Sequence, residues 1–204
     1  MKKNLREVLS VVFEDALTDV VDEWGDVRRD WEAYYKKTYQ WVVDFSEVMI
    51  PPKPEGVWRL VFVAKGITCD KVYNSWIFPK WKYMNGGIDE AVPINIRTAS
   101  DNYAVWVRDG VEPDVEFLGK TTNQVDADMK IGMTFLERMI LGGKYFDESG
   151  KHLDVVGGTF CSGSRFSDGR IPYVHFGYGS VMRVGWCSVN DTDAKYGVRR
   201  AVSA

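Results

Sequence analysis

Gly157 to Ser203 reads GGTFCSGSRFSDGRIPYVHFGYGSVMRVGWCSVNDTDAKYGVRRAVS. Small, turn-forming and apolar residues recur here every few positions, the pattern of short strands joined by tight turns. Met182, Val184 and Trp186 alternate with Arg183, Gly185 and Cys187, so a strand there turns one set inward and the other outward. Val198, Arg200 and Val202 alternate likewise in a closing strand. Between these positions stand Phe166, Arg170, Tyr173, His175, Tyr178, Arg183 and Cys187, which share no chemical theme. A catalytic segment brings together groups with related jobs, such as a base beside a nucleophile. A scaffold that displays interchangeable side chains carries a mixture like this one, as antibody loops do. The segment reads as the presenter of a binding surface and not as an active site.

Upstream, Thr134 followed by Glu137 makes a capping box, with Phe135, Leu136, Met139, Ile140 and Phe146 as the apolar side of a helix that Gly150 ends. Gly142 and Gly143 weaken it. Val57–Ala64, Tyr73–Phe78 and Tyr103–Val107 are rich in β-branched and aromatic residues and read as strands, with turn signals at Asn85-Gly86-Gly87 and Asp109-Gly110. Residues 5–24 have helical apolar spacing, with Asn4 as N-cap and Gly25 as the stop. A second helical pattern follows Asp26 through Val27, Trp31, Tyr34, Tyr35, Val42, Phe45 and Met49. Pro51, Pro52 and Pro54 then end regular structure, which divides the chain into a helical segment, 1–50, and a domain over 51–204. The expected class is α+β: helices, then a twisted, mostly antiparallel sheet carrying one inserted helix.

The 204 residues are 45 % hydrophobic, enough for a core and against disorder. Lysine and arginine total 26 against 29 acidic residues, and no basic stripe appears, so nucleic acid is not an expected partner. Cys69, Cys161 and Cys187 lie far apart, without zinc spacing. Glu7, Glu14, Asp15 and Asp19 interrupt any apolar core of a signal peptide, and no stretch suits a transmembrane helix, which points to a cytoplasmic or virion-associated protein.

An enzyme could be built on Cys161 with His152 or His175, the two histidines, but Phe160-Cys161-Ser162 also reads as a buried strand end. Asn190-Asp191-Thr192-Asp193 lacks the glycine and distal glutamate of a calcium loop and reads as a solvated turn. No phosphate cradle is present. Trp58, Trp76, Trp81, Trp106 and Trp186 sit in strand-like segments where core packing is the default, while a carbohydrate platform would need several on one exposed face.

The run MTFLERMILGGKYFDESGKHL (133–153), leading into FCSGSRFSDGRIPYV and closing with YGVRRAVS, resembles the variable proteins of diversity-generating retroelements. The likeness covers mainly residues 100–204. It implies a C-type-lectin fold of the formylglycine-generating-enzyme type, with a C-terminal variable region over about 157–203. In that family an error-prone copy of a template, mutated at adenines, replaces this region. Asparagine codons there can become Phe, Tyr, His, Arg, Ser, Gly or Cys, but not Trp, Met, Lys, Glu or Gln. Phe166, Arg170, Tyr173, His175, Tyr178, Ser180, Arg183, Gly185, Cys187, Ser188 and Tyr196 are reachable and form the ligand-binding set that the resemblance implies. Met182, Trp186 and Lys195 are not reachable and belong to the fixed scaffold or to other codons. Glu112-Pro113-Asp114 matches the calcium tripeptides of such lectins only loosely, and the catalytic cysteine pair of formylglycine-generating enzymes has no counterpart. The expectation is a binder of a protein or cell-surface ligand, without cofactor or metal. A cysteine-dependent or formylglycine-generating-type enzyme and a fixed carbohydrate-binding module stand as the alternatives.

Overall fold

The computed structural model describes residues 23–177 and 179–203, so the helix expected over 5–24 falls almost wholly outside the described residues. Helix α1 spans Gly25–Tyr39. Gly25 is the first residue of this helix, with Trp24 at the N-cap. Gln40, at φ 54°, ends α1 with its N–H on the Tyr35 carbonyl. The apolar stripe therefore stops at Tyr39: Phe45 is buried in the loop beyond, while Val42 and Met49 lie in solvent.

Two sheets carry the rest. The first orders β1 (Trp58–Val63), β4 (Tyr103–Arg108) and β10 (Ala201–Val202), with β4 central and antiparallel to both neighbours. The second orders β2 (Lys80–Lys82), β8 (Val181–Cys187), β7 (Ile171–Gly177), β5 (Gly158–Phe160) and β9 (Tyr196–Val198). Its spine is the β7–β8 hairpin, in register from Ile171 opposite Cys187 to Gly177 opposite Val181. The outer pairs β2·β8 and β5·β9 are parallel, and β5·β7 is antiparallel. A two-stranded ladder joins β3 (Ile94–Asn95) to β6 (Ser164–Arg165). The mixture, 27 % helix and 24 % strand, is α+β.

The strand expected over Tyr73–Phe78 is not formed; α2 occupies Cys69–Ser75. Capping overrides the β-propensity of its aromatic residues. Thr68 accepts from the Lys71 N–H, and the Asp89 carboxylate accepts from the N–H groups of Cys69 and Asp70 at 2.8 and 2.9 Å. Asp70 returns the same service to Ile88 and Asp89 at the start of α3 (Ile88–Ala91). Lys80 Nζ closes the other end of α2, donating to the carbonyls of Tyr73, Asn74 and Trp76.

A short helix, α4, spans Thr122–Asp126, and α5 covers Phe135–Ser149. Helix α5 has the expected Thr134–Glu137 capping box and runs through Gly142-Gly143 unbroken to Gly150. Its apolar side packs on α2, β1 and β7 and belongs to one core cluster with side chains of α1, β4 and β8, in which Val174, Met182 and Val184 are fully buried. Tyr35 crosses from α1 to the end of β1, its hydroxyl donating to Phe62 O at 3.0 Å and accepting from Ala64 N–H at 3.1 Å. Residues on both sides of the prolines at 51, 52 and 54 thus share one core.

Candidate binding face

The terminal segment is tied to this core by a buried ionic clamp. Asp154 sits between α5 and β5 with a left-handed backbone, φ 57°. Its carboxylate accepts from Arg138 Nε and Nη2 at 3.0 and 2.7 Å, from Arg199 Nη2 at 2.6 Å and from Thr159 Oγ1 at 2.6 Å. Burial alone would raise the carboxyl pKa; the two guanidinium groups outweigh it and hold Asp154 below its ordinary value. Arg199 also donates to the carbonyls of Gly110 and Val111, and the Asp154 carbonyl accepts from Phe176 N–H on β7 at 2.9 Å. One carboxylate and its peptide therefore anchor α5, the 110–111 loop, β5, β7 and the chain just before β10. Beyond it, Glu112 accepts from the N–H groups of Val155, Val156 and Gly157 and fixes that loop.

Alternation along β7 and β8 turns Tyr173, His175, Arg183 and Gly185 away from Val174, Met182 and Val184. His175 faces Arg183 across the hairpin, and Tyr173 faces Gly185. Side chains on this face lie across the sheet. A Cβ at Gly185 would come within 2.5 Å of the Tyr173 ring, and one at Gly158 within 2.3 Å of the Tyr196 ring. Two strand glycines thus form the floor on which two tyrosines rest. Tyr173, His175 and Tyr196 make a triangle with ring centroids 5.7–5.8 Å apart. Burial, and then the Arg183 charge, depress the His175 pKa, while burial followed by the Tyr83 hydroxyl raises that of Tyr173. Beside His175 and Tyr196 lies a shallow hollow of about 530 Å³, rimmed by Val155, Val156 and Ser180.

The face is open over only part of its length. Toward the Cys187 end, Phe117, on the turn Val115–Phe117, joins Phe160, Ile171, Cys187 and Val198 in a second cluster, with Val125 and Ile131 packed against it. The outer face of the sheet is covered there.

The expected binding set therefore divides. Tyr173, His175, Arg183 and Tyr196 come together on the open face, and Ser180, exposed at the hairpin tip with φ 58°, shares the hollow with His175. Gly185 is on this face but covered by Tyr173. Cys187 lies on the outward side with Arg183 and Gly185, as expected, but the second cluster covers it and leaves it 8 % exposed. Phe166 is 5 % exposed and packs in the principal core, where the turn closed by its N–H to Arg170 O draws the ring under. Arg170 lies on the opposite side, its guanidinium 3.6 Å from the Trp186 ring centroid and paired with Asp168. Ser188 caps a turn at the far end of β8. Tyr178 lies outside the described residues.

Trp186, expected inward, is 44 % exposed, because the principal core ends at Val184. Trp81 is 45 % exposed and also departs from core packing, whereas Trp76 and Trp106 follow it. Strand β2 brings Trp81 opposite Arg183, and Tyr83 extends the ladder through its N–H to Val184 O at 2.9 Å. These two rings join the face from outside the terminal segment. The alternation Lys80-Trp81-Lys82-Tyr83 is the sequence signal that could have found them.

The groups considered for other chemistry are engaged structurally. Cys161 is fully buried, its thiol pKa pushed up by burial, and its Sγ donates to Thr159 O. His152 is stacked between Phe146 and Phe176. Asp114 accepts from Arg200 N–H, Asp191 from Ser188 N–H and Asp193 from Lys195 N–H. Among the described residues no cluster of three metal-ligating side chains is present, and no helix is long and apolar enough to cross a membrane. The chain matches no protein-family model, no curated protein and no solved structure.

Proposed function

We propose that this chain is a binding protein of the kind that diversity-generating retroelements vary, with a C-type-lectin fold whose C-terminal sheet face meets a protein or cell-surface target. One observation carries the reading: residue types are sorted by face. Tyr173, His175, Arg183 and Tyr196, all reachable from mutated asparagine codons, gather on the open side of β7, β8 and β9, while Met182, which is not reachable, is fully buried behind them. Variation is compatible with folding only where a side chain leaves the core, since exposed substitutions shift stability by about 0.5 kcal/mol or less and buried truncations cost about 2–5 kcal/mol. The Asp154 clamp and strand β10 supply the frame, holding both ends of the segment against elements that precede it. Burial of Phe166 and Cys187 narrows the variable set to the open half of the face. The buried Cys161, with its raised thiol pKa, is the reverse of what a thiolate nucleophile requires, which favours binding over cysteine-dependent catalysis.

The DNA beside the gene tests the proposal. The expected result is a near-copy of codons 157–203, differing only where the copy has adenine and lying next to a reverse-transcriptase gene. Absence of any such copy in the complete flanking sequence rejects it.

A further inference from the structure

We infer that the pocket between α1, α2 and α5 is a second binding site, for a small neutral ring molecule that carries a hydrogen-bond acceptor. It shares no lining residue with the hollows of the sheet face, so it stands or falls apart from the function proposed above. The pocket holds about 160 Å³ and lies between the last turns of α1, the exit of α2 and the C-terminal half of α5. Its walls are rings. Trp76 and Phe78 have centroids 5.1 Å apart, Phe146 meets Phe78 edge to face at 4.9 Å, and Tyr34 comes in from α1. Gly143 lets them close: a Cβ there would stand 2.5 Å from the Tyr34 hydroxyl oxygen and 3.2 Å from Trp76 Nε1. Glycine inside a helix is unfavourable relative to alanine, and here it permits these two side chains to rest on the α5 backbone.

One polar atom points to the ligand. Trp76 is 5 % exposed, and its Nε1–H, a donor only, is buried without an acceptor among the described residues. Buried donors are nearly always paired and an unpaired one is unfavourable, so a molecule that supplies the acceptor gains a hydrogen bond without breaking an internal one. Nε1 is closed to solvent, so contact with the acceptor requires a small turn of the indole, a side chain in the connection from α2 to β2. The Tyr34 hydroxyl is already bonded to that of Tyr39 at 3.0 Å. Lys37 and Asp147, the two charged residues of the lining, are paired with each other at 2.6 Å, so the lining carries no net charge and suits a neutral guest. Size sets the rest. A cavity of about 150 Å³ takes one benzene-sized ring, whereas drug-sized ligands fill pockets of about 300 Å³ or more. A single ring bearing a carbonyl group, as in an aryl ketone or ester, matches the walls, the donor and the volume.

Acetophenone and α-methylstyrene, alike in shape but only the first with an acceptor, are the probes. Each is titrated into the isotope-labelled full chain and followed by two-dimensional NMR of the indole N–H groups, with Trp76 assigned by sequential connectivity. Acetophenone is expected to bind with a Kd of roughly 0.1–1 mM and to move the Trp76 signal downfield, as hydrogen bonding does. α-Methylstyrene is expected to move it less. Trp76→Phe, which keeps a ring and removes the donor, should lower acetophenone binding about fivefold relative to α-methylstyrene. Thr38→Trp adds a ring at a half-buried position of the lining and should weaken both probes about tenfold. Melting temperatures report the folding of both variants, and if Trp76→Phe does not fold, the difference in signal shift between the probes in the unmodified chain decides alone. Binding of both probes with equal Trp76 shifts, or an unchanged affinity ratio in folded Trp76→Phe, would overturn the acceptor assignment. No binding of either at millimolar concentration, or binding undiminished in Thr38→Trp, would overturn the site, and neither result bears on the sheet face.

Discussion

Val184 and Arg183 are neighbours on one strand, as are Val174 and Tyr173, yet the two faces they serve are held by different physics. The inner face is fixed by volume: Val174, Met182 and Val184 close against the principal core and have no room to change. The outer face is fixed laterally, by rings lying over Gly158 and Gly185 and by the strand that brings Trp81 and Tyr83 alongside. Substitutions on the first face are opposed by cavities. On the second they are opposed only by the neighbour they displace, so change is possible but coupled.

The largest expected effect breaks the frame that both faces share. Asp154→Asn keeps a residue tolerant of the left-handed backbone but leaves Arg138 and Arg199 buried without their counter-charge, a loss of about 3–5 kcal/mol. Denaturant unfolding reads it, and a loss below about 1 kcal/mol would show that the clamp does not organise the sheet. Next comes the contrast itself: Met182→Ala should cost about 2–5 kcal/mol, and Arg183→Ala, one residue on, less than about 1 kcal/mol. Equal costs would erase the distinction between the faces.

Gly185→Ser sharpens the lateral account. It forces the Tyr173 ring off the strand and should cost about 1–2 kcal/mol, most of it recovered in the double variant with Tyr173→Ser. Additive single effects in that cycle would contradict a shared site.

The smallest effect is a pH slope. His152 and His175 are both depressed from the ordinary value of 6.5, chiefly by burial and then by Arg138 and Arg183 respectively. The unfolded chain then binds protons that the native state refuses, so stability is full above that value and declines as pH falls below it. Melting temperature should drop on acidification through this window, and His152→Gln with His175→Gln should flatten the slope. An unchanged slope in the double variant would assign the decline to other groups.

Legibility followed the range of the interaction. Helix α5 was readable because Thr134, Glu137 and Gly150 act within a few residues of one another, and β1 and β4 because their β-branched runs are continuous. The Tyr73–Phe78 stretch misled because its caps, Asp89 and Lys80, lie outside it and act only once α2 and α3 meet. Of the expected binding residues, Tyr173, His175, Arg183 and Tyr196 were found together, since strand alternation is itself local. Phe166 and Cys187 proved to be covered, and Trp81 and Tyr83 were missed, for one reason: exposure depends on what stands opposite.

By itself, then, the amino-acid order determined an α+β chain, the caps of its longest C-terminal helix, and the two-residue period that separates Arg183 from Val184. Only the tertiary structure decided which outward residues see solvent. It set Phe117, Val125 and Ile131 over one end of the terminal sheet and left the other end bare beside β2. A period of two assigns a side to each residue, but whether that side is covered is settled by segments some fifty to a hundred positions away, which reach it through loops that no local pattern encodes.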